Sequence, residues 1–169
     1  GGVSAWTETT QVPSTPVWTT LGSGFNGAAL AREHHGGSLY AGGEFTFAGA
    51  TAVNRIARFD TVPNPDVWVP VGNGGVGGGF NGSVTALRSH NGMLYASGNF
   101  TSVDGVPANR LAVWNGSVWQ EVQGGADNSV LALGIYHDEL HVGGTFDTVR
   151  NGVIASKSWA KYFITGMPW

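Results

Sequence analysis

Chemistry in this chain would have to come from five histidines and eleven acidic residues, because there is no cysteine. The missing thiol excludes disulfides, thiolate metal sites and a cysteine nucleophile. Glu33-His34-His35 has the residue types of a divalent-metal or general-base site. His137-Asp138-Glu139-Leu140-His141 repeats those types. However, His35 and His90 each precede a tyrosine, Tyr40 and Tyr95, by five residues. This shared register assigns the histidines to a recurring turn, and His137 to His141 crosses a similar turn into a strand. Glu44, Asp104, Asp127 and Asp147 are candidates for a carboxylate pair of the kind that hydrolyses glycosides. Their spacing does not itself make a pair. No Ser-His-Asp order and no nucleophile elbow is legible. The glycine run Gly72 to Gly79 would cradle phosphate only if a helix followed, and the next residues read as a strand. No metal and no cofactor is expected.

Three sequons stand at Asn81-Gly82-Ser83, Asn99-Phe100-Thr101 and Asn115-Gly116-Ser117. They are N-glycosylation acceptors in a eukaryotic secretory context, and Asn-Gly-Ser is also ordinary turn chemistry. The elements that must position these residues are best seen from Val84 to Val122. Four short apolar runs lie there: Val84 to Leu87, Met93 to Ala96, Arg110 to Trp114 and Ser117 to Val122. His90-Asn91-Gly92 separates the first two and Asn115-Gly116 the last two. Asn-Gly between apolar runs signals a hairpin, because its turn needs positive φ. Runs this short and this rich in Val, Leu, Tyr and Trp read as four antiparallel strands, a to d.

The same unit recurs. Trp18, Trp68 and Trp119 follow one another at 50 and 51 residues, each with a preceding valine. Strand b reads Leu39-Tyr40-Ala41-Gly42-Gly43-Glu44-Phe45, then Leu94 to Phe100, then Leu140 to Phe146. Strand c is expected at Arg55-Ile56-Ala57, Arg110-Leu111-Ala112 and Val153-Ile154-Ala155, and Tyr162-Phe163-Ile164 is expected as the last strand d. A period near 50 residues with four strands is the signature of β-propeller blades. A lone four-stranded sheet has two apolar faces, and stacking hides both. Paired glycines on strand b are expected where neighbouring sheets approach closely, or at a bulge.

The Leu39-Tyr40-Ala41-Gly42-Gly43 strand, followed by an aromatic-Asp turn (Phe59-Asp60; Trp114-Asn115 in the next unit) and then a Trp, resembles the kelch-type repeats of galactose-oxidase-like propellers. It is closer still to the glycine-rich repeats of large secreted bacterial proteins and of the fungal cortical polarity-marker family. This resemblance implies an all-β propeller segment. It divides into residues 1–21 (strands c and d of a preceding blade) and blades at 22–71, 72–122 and 123–169. It also implies that the d–a and b–c loops share one face where ligands meet, carrying Glu44, Asp104, Asp127 and Asp147. Copper chemistry of the galactose-oxidase kind does not carry over, since it needs a cysteine.

Charged residues make up 11%, and 28 of 169 residues are glycine, a composition that suits tight turns and close sheets rather than helices. A net charge of −3 without a basic cluster argues against nucleic acid. No apolar run is long enough to span a bilayer. Three and a half blades would expose two sheet edges and two apolar faces. The expected partners are therefore other blades of a longer chain, or identical subunits completing a ring, with glycans or surface proteins as ligands. The expected role is a non-catalytic extracellular or cell-surface binding or structural module. A carbohydrate-binding lectin is the alternative. A hydrolase or oxidase propeller with part of its site outside this segment is the second. The seven tryptophans invite the lectin idea, but Trp18, Trp68, Trp119 and Trp114 read as core and Trp6 matches Trp114, which leaves Trp159 and Trp169 unassigned.

Overall fold

The computed structural model describes residues 20–61, 67–72 and 78–164. The expected N-terminal half unit, apart from Thr20 and Leu21, lies outside them, as do the middle of the glycine run and residues 165–169. The described residues are all-β, with several antiparallel sheets and no helix. None forms a helix long and apolar enough to cross a membrane.

The first unit comprises β1 (Ala29–His35), β2 (Ser38–Gly43), β3 (Phe47–Ala48), β4 (Thr51–Ala52), β5 (Ile56–Asp60) and β6 (Val67–Pro70). β1, β2, β5 and β6 form one sheet in that order, and β3 and β4 form a small ribbon between strands two and three. The second unit comprises β7 (Val84–His90), β8 (Met93–Gly98), β9 (Ser102–Val103), β10 (Val106–Pro107), β11 (Leu111–Trp114) and β12 (Trp119–Glu121). It repeats the pattern: β7-β8-β11-β12 with the ribbon β9-β10. The four strands expected from sequence are thus found in both units. Hairpin turns are made by positive-φ residues, Gly36-Gly37, Asn91-Gly92 and His137-Asp138, a conformation most freely taken by Gly and, among the others, by Asn, Asp and His.

The third unit comprises β13 (Val130–Tyr136), β14 (Glu139–Gly144), β15 (Thr148–Val149), β16 (Ile154–Ala155) and β17 (Trp159–Phe163). Here the sequence expectation is corrected. Ile154-Ala155 is not strand c but pairs with Thr148-Val149 in the ribbon. The strand beside β14 is β17, with Gly143 opposite Trp159, as Gly42 is opposite Ile56 and Ser97 opposite Leu111. Tyr162-Phe163 therefore belongs to strand c, not d. Backbone bonds fix the equivalence: Gly43, Gly98 and Gly144 donate to the carbonyls of Arg55, Arg110 and Ser158. Those three acceptors share positive φ (72°, 63°, 62°). The connection from Phe146 to Ser158 is two residues longer than from Phe45 to Arg55. Val153-Ile154-Ala155 therefore imitates Arg55-Ile56-Ala57 in letters while falling short of the sheet.

Sheets stack in chain order. β7 packs on β1 and β2 of the sheet before it, and β13 packs on β7 and β8. Between the first and second sheets lie Tyr40, Ile56, Phe80, Leu94, Phe100 and Trp119. Between the second and third lie Tyr95, Leu111, Val113, Leu140, Val142 and Phe146. The same hydrogen bond crosses both junctions: Phe80 N–H donates to Asn54 O at 3.1 Å, and Ala126 N–H to Asn109 O at 3.0 Å. Each successive sheet is thus placed by the same local rule. Trp68, Trp114 and Trp119 are buried, as expected of repeat tryptophans. Gly42 shows the close approach of neighbouring sheets: a Cβ there would lie 2.5 Å from Val84 Cγ1. Gly43 marks the bulge, beside the register shift between Ala29 and Ala31.

Candidate functional site

Two surfaces gather the polar side chains. The first is the edge of each unit where the ribbon meets the loop leading into the first strand. Asn26 Oδ1 accepts the N–H groups of Thr46 (2.8 Å) and Phe47 (2.9 Å), and its Nδ2 donates to Thr46 Oγ1 at 3.0 Å. Asn81 repeats the clamp on Thr101 and Ser102 at 2.8 and 3.0 Å, with Nδ2 donating to Thr101 Oγ1 at 2.8 Å. Asp127 does so on Asp147 and Thr148 at 3.0 and 3.1 Å, and its Oδ2 accepts from Thr148 Oγ1 at 2.9 Å. A short oxygen-bearing side chain satisfies otherwise orphaned ribbon N–H groups, which is why only Asn or Asp stands there. The two kinds of loop therefore meet at one edge in every unit.

This places the sequence candidates. Asn81, a sequon residue, and Asp127, a ligand candidate, occupy one structural position. Glu44 and Asn99 occupy another: both are exposed, and their N–H groups donate to Ala28 O and Ser83 O at strand ends. Asp104 accepts from Gly79 N–H at 2.7 Å, tying its ribbon to the incoming loop. Asp147 is exposed beside Asp127, the one close contact among the four acidic candidates that the structure shows. Asn115 accepts the N–H groups of Ser117 and Val118, both at 2.9 Å, in the β11–β12 turn. Among the described residues no three His, Asp or Glu side chains group as a metal site.

The hydrogen bonds onto Asp127, first the backbone N–H of Thr148, hold its carboxyl below the ordinary value of 3.8. The folded chain therefore releases this proton more readily than the unfolded chain. The stabilisation is present above about pH 4 and is lost as pH falls through the folded value. The expected result is that Asp127→Asn, which reproduces the Asn81 arrangement, flattens the stability profile between pH 5 and 2 in urea titrations. An unchanged profile would contradict it. Asn81→Ala, removing three bonds, is expected to cost about 1–2 kcal/mol.

Three members of the histidine clusters, Glu33, His35 and Asp138, make contacts between units. His35 is buried, and its Nδ1 lies 2.9 Å from Ser89 Oγ of the next sheet. Burial pushes its pKa down, so it sits there as neutral imidazole. His90 Nε2 lies 2.9 Å from Asp138 Oδ1 of the third sheet. Glu33 faces Arg88 at 3.9 Å. Tyr95, buried between sheets, has its phenol pushed up to about 12 by desolvation.

The second surface is the outer face of the third sheet, which the sequence reading missed as a unit. Strand alternation puts Leu140, Val142, Ala160 and Tyr162 inward, and Glu139, His141, Trp159, Lys161 and Phe163 outward. Lys161 Nζ donates to Glu139 Oε1 at 2.9 Å, and His141 Nε2 meets Glu139 Oε2 at 3.2 Å. The Lys161 ammonium, and then His141, hold the Glu139 carboxyl below its usual range. Trp159 (61% exposed), Tyr136 (62%) and Phe163 (58%) surround this group. Counting from Phe146 as from Phe45 to Ile56 or Phe100 to Leu111 reaches Lys157, closer to Trp159 than Val153-Ile154-Ala155 is but two residues short of it. No protein-family model, no curated protein and no solved structure matches the chain.

Proposed function

We propose that the chain is a non-catalytic binding or structural module of an extracellular or cell-surface protein, a run of β-propeller-type blades. The observation that carries this reading is the thrice-repeated clamp, in which Asn26, Asn81 and Asp127 spend their polar atoms on the ribbons. Side chains that catalysis would need free are committed to architecture, and the rim they build is uniform. Glu44 and Asn99 project from that rim as the surface for a protein or glycan partner. Trp159 stands where Ile56 and Leu111 are covered by the following sheet. The third sheet therefore stacks on a further unit, of the same longer chain or of an identical subunit.

Light scattering across a concentration series tests this. The native chain is expected to self-associate, and the Trp159→Glu, Phe163→Glu double variant to stay monomeric with the same circular dichroism. Identical monomeric behaviour of both would remove the stacking argument. Carbohydrate binding is the second reading, favoured by the exposed aromatics beside Glu139, His141 and Lys161. Oligosaccharide binding lost in Trp159→Ala would favour it over stacking.

A further inference from the structure

The geometry points to a binding site for a small aromatic carboxylate in a cavity between the second and third sheets, with the ring against Ala126 and the carboxylate on Arg150. This rests on packing at that junction and not on the functional reading above.

The repeat supplies the comparison. Phe25, Phe80 and Ala126 are equivalent, each bridging its ribbon at Ala48, Val103 or Val149. In the first two units this residue brings a phenyl, which packs on Phe45 at 4.0 Å or on Phe100 at 4.5 Å. In the third unit Phe146 keeps its place, fully buried, but alanine replaces the loop phenyl. A second position changes with it. Asp104 and Arg150 are equivalent, since each follows its ribbon valine and donates its N–H to a loop glycine, Gly79 O at 3.0 Å and Gly125 O at 2.8 Å. The second unit thus carries a phenyl and a carboxylate where the third carries a methyl and a guanidinium. A ligand with a ring and a carboxylate matches both changes.

The cavity has a volume of about 170 Å³, and Val122, Ala126, Val130, Val142, Val149 and Ile154 are among its apolar lining. An apolar cavity of about 150 Å³ accepts a benzene ring. Arg150 lines the same cavity and is exposed, so the guanidinium stands where the cavity meets solvent. Among the described residues no carboxylate pairs with it. Lys161 also borders the cavity, but its ammonium is held by Glu139 at 2.9 Å. A guanidinium offers a planar fork that takes a carboxylate through two parallel hydrogen bonds. Apolar walls with one convergent charge are the usual make-up of a small-molecule site. An arylacetate has the matching form, a single ring with its carboxylate one methylene away.

Isothermal calorimetry with phenylacetate tests this. The native chain is expected to bind one molecule with a Kd on the order of 0.1–1 mM. Acetate, which has no ring, should not bind. Benzyl alcohol, which has no charge, should bind about tenfold more weakly than phenylacetate. Arg150→Gln should bring phenylacetate down to that level. Ala126→Phe, which supplies the ring of the other two units, should abolish binding of both. Should Ala126→Phe not fold, methyl resonances of the native chain answer instead. Those of Val122, Val130 and Val142 should shift on titration with phenylacetate, and those of Leu30 in the first sheet should not. Absence of binding at about 10 mM phenylacetate, well above the expected Kd, would overturn the inference. So would binding that survives Ala126→Phe, or shifts confined to other methyls. Equal affinity for benzyl alcohol, or an Arg150→Gln chain that binds phenylacetate as the native does, would overturn it as well, because the carboxylate would then have no partner.

Discussion

Gly98→Ala is expected to cost about 4 kcal/mol or more, enough to leave the chain largely unfolded at 37 °C. A Cβ at Gly98 would lie 1.9 Å from the carbonyl oxygen of Ser83 and 2.9 Å from its carbon. No rotamer relieves this, because the Cβ position is fixed by its own backbone and the Ser83 carbonyl is itself backbone. The contact arises where β7 shifts register between Val84 and Ala86, so that the first strand bulges over the end of β8. The carbonyl cannot retreat freely, because it accepts the Asn99 N–H at 3.1 Å. Gly43 and Gly144 repeat the geometry, with gaps of 2.0 Å to Ala28 O and 2.1 Å to Ser129 O. Equilibrium urea denaturation checks the value. A loss below 1 kcal/mol would mean that the bulge relaxes and that the glycines are not held by sterics. Gly92→Ala is the comparison: its Cβ would meet nothing, but its φ is +75°, so its cost should stay near 1 kcal/mol.

Phe100→Ala is expected to cost about 3–5 kcal/mol. Phe100 is fully buried between the first two sheets and packs on Phe80 at 4.5 Å, which in turn meets Trp119 at 4.9 Å. Its backbone is pinned, since Phe100 O accepts from Arg110 N–H at 2.9 Å. The hole cannot collapse by moving the strand, so both transfer and cavity terms apply. Against a typical domain stability of about 5–15 kcal/mol this is a large fraction. Calorimetry should show the lowered Tm with one cooperative transition if the stacked sheets unfold together. Two transitions, with the third unit unaffected, would show that the sheets melt separately. Phe100→Leu, which keeps most of the volume, should lose less than half as much.

The all-β class, the four-strand pattern of the first two units and the burial of Trp68, Trp114 and Trp119 were legible in the amino-acid order alone. Strand content followed from short apolar runs broken by Asn-Gly and Gly-Gly, because turn residues with positive φ are set by local sterics. The register of His35 and His90 against Tyr40 and Tyr95 was also legible, and the structure places both at the last pair of their hairpins, opposite Ser38 and Met93. Features that depend on proximity in space were not legible in the amino-acid order. That Asn81 and Asp127 share one clamp on the ribbon is seen only in the structure, because a short polar side chain gives no sign of which backbone it caps. The third unit misled for a related reason. Local letters cannot weigh Ile154-Ala155 against Trp159-Ala160 for a place beside β14; pairing does, since a strand must lie next to its neighbour along the whole sheet. In the third unit Ala126 stands where Phe25 and Phe80 stand in the first two, and only the packing shows that this smaller side chain borders an apolar cavity with Val149 and Tyr162.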